Sequence, residues 1–203
     1  PLGALRALGD LPGVSRLLLV YFLYHLAFAV YPSVWSYFGK AQFGWSPAMI
    51  GGSLALFGAA MAVVQGGLIR PVLHRFAERG TVLIGFVCSI TTFGLIATVT
   101  WGSAILILTP LAALAGVIPP ALPAPMSARV TPERQGALQG LLTSASALAM
   151  VVAPLVMTSV FAAFTSASTP VYFAGAPFVL SMILSVVALV LFRRVRINPA
   201  HVD

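Results

Sequence analysis

Apolar runs of about 20 residues, divided by short polar turns, recur six times along this chain, and few folds accept that pattern. The runs cover about 17–38, 48–69, 81–100, 104–126, 135–164 and 171–192. At 1.5 Å per helical residue, each crosses a hydrocarbon layer of roughly 30 Å. The runs are continuously apolar and do not alternate, which excludes barrel strands. Inside lipid every backbone group must be satisfied within the protein, so each run is expected to be a helix. Charged residues make up only 7% of the chain and hydrophobic ones 60%. A soluble domain carries about 25% charged residues. The expected class is an all-α membrane protein, with 1–16 an approach segment, 17–192 a six-helix bundle and 193–203 a tail.

The net charge of +7 could suggest nucleic acid, but the cations lie scattered between the apolar runs. They read instead as an orientation signal. Arg6, Arg16, Arg70, Arg75, Arg79, Arg129, Arg134, Arg193, Arg194 and Arg196 fall on one side, ten of the eleven Lys and Arg. Lys40 alone falls on the other. The positive-inside rule then places both termini in the cytoplasm. Trp35, Trp45 and Trp101 are expected near the opposite interface, as an aromatic belt. The start of the chain has no signal-peptide pattern and reads as the tail of a longer loop. Leu2, Leu5, Leu8 and Leu11 recur there every three residues, as either a short surface helix or a linker.

Helix packing is written into runs two and five. Gly58, Ala62 and Gly66 recur every four residues in one, and Gly136, Gly140 and Ser144 in the other. Such stripes let helix backbones approach closely. These runs are the middle members of two three-helix units, a common plan among secondary transporters. Run four carries Pro110, Pro119, Pro120, Pro123 and Pro125, so it is expected to be kinked or partly unwound and to line a cavity or move. For Pro123 and Pro125 a place beyond the helix end is the alternative. Run six reads as a lipid-facing anchor, with Ser181 and Ser185 bonded to their own helix.

Candidate chemistry is sparse. The four acids, Asp10, Glu78, Glu133 and Asp203, all fall outside the apolar runs. His25 is the one titratable candidate inside a run. It is either functional or a neutral imidazole hydrogen-bonded to a neighbouring helix. Cys88 is alone, so no disulfide or multi-cysteine metal site forms within the chain. No nucleophile–base pair or paired acids are in evidence, which argues against an enzyme. No cofactor, metal or nucleic-acid partner is expected. Passage of a molecule between helices remains, with Trp35, Gln65, Gln139 and His25 as candidate contacts.

Residues 116–155, GVIPPALPAPMSARVTPERQGALQGLLTSASALAMVVAPL, resemble the tenth and eleventh helices of tetracycline-efflux-type drug:proton antiporters of the major facilitator superfamily. The segment ERQGALQGLL at 133–142 is the most specific part. Residues 43–65, FGWSPAMIGGSLALFGAAMAVVQ, resemble the turn and eighth helix, and PLGALRAL at 1–8 followed by VYFL at 20–23 resembles the end of the central cytoplasmic loop entering helix seven. The resemblance implies the C-terminal half of a twelve-helix transporter, a 3+3 inverted repeat in a bacterial inner membrane. A second six-helix half, protons and a small-molecule substrate would be its partners.

The resemblance further implies that drug leaves between two rocking halves while protons enter. It makes Gln65 a substrate contact and Trp35 a stacking surface. It places Gln135, Gly136, Gln139 and Gly140 in the helix-eleven signature, with Pro154 as its mid-helix proline. Arg75 and Arg79 fall in the gating turn at 70–80, where Arg70 and Ala77 replace usual glycines. Met61 stands where the exporters often carry histidine, and Cys88–Ser89 where they carry an acid. The proton-carrying acids would then lie in the other half. Two rivals remain: a non-transporting scaffold or decayed fragment, and a uniporter or importer of a neutral metabolite.

Overall fold

A computed structural model describes residues 13–166 and 169–195. The leucine-rich start at 2–11 and the end of the tail at 196–203 lie outside the described residues. Among the described residues, five helical runs are long and apolar enough to cross a membrane: Val14–Phe43, Pro47–Thr98, Gly102–Ser127, Pro132–Thr165 and Ala176–Arg193. The six expected runs are met as five because 47–98 is helical nearly throughout.

Helices α1 (Val14–Phe28) and α2 (Val30–Phe43) form the first run. They divide at Ala29 because Pro32 has no N–H for the Phe28 carbonyl. Gly44 ends α2 at φ 64°, and Trp45 N–H returns to the Gly39 carbonyl at 3.2 Å. That pairing closes a left-handed helix stop that glycine adopts without strain. Ser46 then caps α3 (Pro47–Val63) by accepting from the Met49 N–H at 3.3 Å, with Pro47 at the first helical position.

A π-helical turn, Val64–Leu68, joins α3 to α4 (Ile69–Thr98). Gly66 and Gly67 loosen the helix there, and Pro71 removes the donor for the Gly67 carbonyl. The arginine-rich stretch at 70–80, expected as a turn, is helical on both sides of one residue. Ala77 alone has non-helical angles, φ 53° and ψ 179°. Phe57 and Phe93, 36 residues apart, both meet the Tyr31 ring, at 5.1 and 5.7 Å between centroids. An unbroken helix would separate them by about 54 Å. The chain therefore reverses at Ala77, and the two segments lie side by side.

Helix α5 (Gly102–Leu114) runs into a 3-10 turn at Ala115–Val117 and the short helices α6 (Ile118–Ala121) and α7 (Ala124–Ser127). The prolines unwind this run as expected, with Pro123 before α7 and Pro125 in its first turn, both past the end of α5 and α6. Helix α8 (Gln135–Thr165) follows within one residue of its expected bounds, and α9 (Ala176–Arg193) closes the bundle.

Helix α9 corrects the anchor reading. It packs against both α1 and the later segment of α4. Phe178, Ser181, Ser185, Ala188 and Phe192 are buried there. Ser181 Oγ reaches Met157 Sδ at 4.0 Å and Ser185 Oγ is buried without a partner, so neither serine bonds to its own helix. The core has two main parts. One, around Tyr24, Phe86, Leu138 and Phe192, lies where α1 begins, and the other, around Trp35, Phe93, Ile105 and Phe178, lies toward the end of α2.

Candidate functional site

An aromatic ladder runs down one side of α1 and α2. Tyr24, Phe28, Tyr31, Trp35 and Phe38 are spaced four, three, four and three residues apart. Consecutive ring centroids lie 5.6, 5.3, 5.7 and 6.2 Å apart. That spacing keeps them on one helix face. Phe57, Phe93 and Phe178 join the ladder from three other segments. Trp35 is thus buried in the core of the chain, 8% exposed. Its indole N–H donates to Ser53 Oγ at 2.9 Å, and that hydroxyl donates to the Ile50 carbonyl at 2.7 Å. Beside them Tyr31, Ser53 and Thr109 border a cavity of about 10 Å³, room for about one water.

The broken fourth run forms the polar centre of the chain. Pro119 has no N–H to offer the Ala115 carbonyl, which takes the Ile118 N–H of the 3-10 turn instead. Tyr24 Oη donates to that carbonyl at 3.3 Å, across the bundle and out of reach of water. The next residue, Gly116, faces the π-helical turn. A Cβ there would stand 2.7 Å from Met61 Sδ and 3.6 Å from Gln65 Nε2. Met61, at the position expected to hold histidine, therefore fills space against bare backbone. π-helical turns in long helices frequently mark functional sites, and this one carries the exposed Gln65.

His25 adjoins the same centre. Its ring lies 4.4 Å from Tyr21 and 5.3 Å from Tyr24 between centroids. Its Nε2 is buried and has no hydrogen-bond partner, which corrects the expectation of a bond to a neighbouring helix. The structure thus places Gln65 near Gly116 and His25 beside Tyr24, whose hydroxyl meets the neighbouring Ala115 carbonyl. It does not bring Trp35 or Gln139 to that point. Gln139 is exposed on α8. Sequence reading missed Tyr24, Tyr31 and Ser53, although the 4-3-4-3 aromatic spacing was there to signal the first two.

The residues expected to pack or gate divide sharply. A Cβ added at Gly58, Gly66, Gly136 or Gly140 meets nothing within 4 Å, so none of these glycines lets two helices of this chain approach. Pro154 and Arg75 are exposed. Arg79 instead donates to the Val195 and Arg193 carbonyls at 3.2 and 3.3 Å. Gln135 Nε2 donates to the Ser127 and Val130 carbonyls at 2.9 and 3.3 Å, holding the turn before α8.

Comparison with known proteins gives these features a setting. Residues 17–202 match the family model of the Major Facilitator Superfamily. The chain is 35% identical over 194 residues to the class G tetracycline resistance protein of Vibrio anguillarum, covering 96% of this chain and 48% of that protein. It is 34% identical over 169 residues to the class C tetracycline resistance protein of Escherichia coli, covering 83% and 42%. The crystal structure of the human organic anion transporter MFSD10 (TETRAN) superposes with a TM-score of 0.77 at 28% identity, covering 89% of this chain and 40% of that one. The chain spans about half the length of the curated relatives it matches or less.

Proposed function

The chain belongs to the Major Facilitator Superfamily, and we propose that it is the C-terminal half of a proton-coupled exporter of tetracycline-like or other amphipathic small molecules. Counting 47–98 as two crossings, divided at Ala77, makes six spans and two three-helix units. With the arginines of the α1 start, the Ala77 reversal and the α9 end on the cytoplasmic side, both termini are cytoplasmic and the membrane is the bacterial inner membrane.

The observation that carries this reading is the bare face of α8. Its most apolar stretch is only 17% buried, against 39% for α9 and about half for the first three runs. Gly136 and Gly140 lie on it unopposed. With relatives about twice as long, the partner of that face is the other six-helix half. The substrate path then runs past the broken fourth run, with Gln65 and His25 as contacts and Gln139 at the edge of the cavity. Trp35 sets the helix positions behind it. The acids that carry protons lie in the other half.

The test uses energised inverted membrane vesicles from cells carrying the full-length protein. Tetracycline should accumulate inside them and leave when a protonophore collapses the gradient. Gln65→Ala should lower uptake about tenfold, the value of one lost hydrogen bond to a charged or polar drug group. Uptake indifferent to the protonophore would overturn proton coupling, and no uptake of any amphipathic drug would overturn export.

A further inference from the structure

Four arginines meet where α1 begins and α9 ends. Arg79 places two guanidinium nitrogens on the carbonyls of Arg193 and Val195. Arg16 places one on the carbonyl of Arg194, at 3.4 Å. The side chains of Arg193 and Arg194 themselves are exposed. Among the described residues no carboxylate pairs with any of the four. The end of a helix offers a partial charge of about −0.5, far short of four positive charges. Among the described residues the cluster therefore has no carboxylate counter-anion. Each guanidinium keeps donors to spare, in a planar fork that suits phosphate oxygens.

What lies beneath the cluster identifies the anion. On α9, Val190 and Val186 stand three and seven residues before Arg193, and Val187 and Ile183 seven and eleven before Arg194. All four are exposed, between 40% and 50%. On α1, Leu19 stands three residues after Arg16 and is 46% exposed. Residues three, four and seven apart share a helix face, so each arginine tops an apolar stripe. A cationic rim above an exposed apolar face on a membrane-length helix fits a phosphate that carries hydrocarbon chains.

We propose that the start of α1 and the end of α9 bind the headgroup of an anionic phospholipid, with its acyl chains along the Val186–Val190 and Leu19 faces. The excess of positive charge selects a net-negative headgroup over a zwitterionic one. The site is separate from the drug path, and the proposal stands whether or not the chain exports drugs.

The full-length protein, purified in mild detergent, would be offered phosphatidylglycerol and phosphatidylcholine of equal chain length and the retained lipid counted by native mass spectrometry. The wild type should retain phosphatidylglycerol in preference. The Arg193→Gln/Arg194→Gln double variant should lose about 25-fold of that preference, roughly fivefold per arginine. Both carbonyl acceptors survive in this variant, because they are backbone. Arg193→Lys/Arg194→Lys should restore most of the preference, since ammonium groups also hold phosphate. Equal retention of the two lipids by the wild type would overturn the proposal, as would an undiminished preference in the double glutamine variant. Displacement of the lipid by inorganic phosphate alone would replace the lipid site with a simple anion site and would overturn it too. Should the double variant fail to fold, Arg194→Gln alone should show about one fivefold step.

Discussion

Gly175 and Gly140 look alike in the sequence, each a glycine beside an apolar helix, yet they meet opposite surroundings. A Cβ on Gly175 would run into the Ala97 carbonyl, where the start of α9 is pressed onto the end of α4. Gly85 is set against Ile118 in the same way, and Gly102 against Trp45. A Cβ on Gly140 would meet nothing within 4 Å. The first group holds this chain's own helices together. The second is a smooth surface with no use inside the described chain, which is what the proposed interface with a second half requires. Small-residue spacing alone cannot separate the two, because it records close approach but not the partner.

The largest expected effect breaks the comparison if it is wrong. Gly175→Ala should destabilise the fold by about 3 kcal/mol, the upper range for overpacking against backbone. Gly140→Ala should leave it unchanged or stabilise it by about 0.5–1 kcal/mol, as alanine does in a helix. Thermal melting in detergent measures both. Gly140→Leu sharpens the point: the chain's own melting should hold, while transport by the full-length protein should fail. A matching loss of stability at positions 140 and 175 would mean that both glycines pack within the chain.

The relation between α8 and α9 shows how much of this was legible beforehand. The bounds of α8 follow from hydropathy, because the polar 129–134 segment and Ser166 interrupt the apolar run on either side. Its open face does not follow, since a lipid-facing wall and an interface are equally apolar. The burial of α9 is hidden in the sequence for the same reason. In a helix apolar all round, only Ser181, Ser185 and Ala188 mark the packed side, and small hydroxyls also sit comfortably in lipid-facing helices. The prolines of the fourth run announce its break, but not that Tyr24 adds a side-chain hydrogen bond to a carbonyl there. Gln65 was legible as a polar residue in an apolar run. Its π-helical setting was not, because that depends on how Gly66, Gly67 and Pro71 act together.

Ala77 offers the next test. Its backbone, at φ 53° and ψ 179°, lies in a region that only glycine adopts readily. Sequence resemblance had placed a glycine there, and the reversal between the two segments shows why one would be used. Ala77→Gly should stabilise the fold by about 1–2 kcal/mol, the strain removed less the added freedom of the unfolded chain. A drop in melting temperature would argue that the reversal sits elsewhere. Because Ala77 lies in an exposed reversal, on a segment separate from α8, its effect should add to that of Gly140→Ala.

The smallest effect concerns the hydrogen bond between the aromatic ladder and the broken run. Tyr24→Phe keeps the ring's contacts with Phe28 and Phe86 and removes only the donor to the Ala115 carbonyl. Pro119 removes the i−4 donor and leaves that carbonyl the 3-10 bond from the Ile118 N–H, so the loss should be about 0.5–1 kcal/mol, the net value of one hydrogen bond. Pro119→Ala should offset it, since the new N–H restores the i−4 acceptor bond. In the double variant, melting close to wild type would tie Tyr24 to the proline break. Additive losses would instead assign Tyr24 a packing role alone and would detach the ladder from the polar centre around Gln65 and His25.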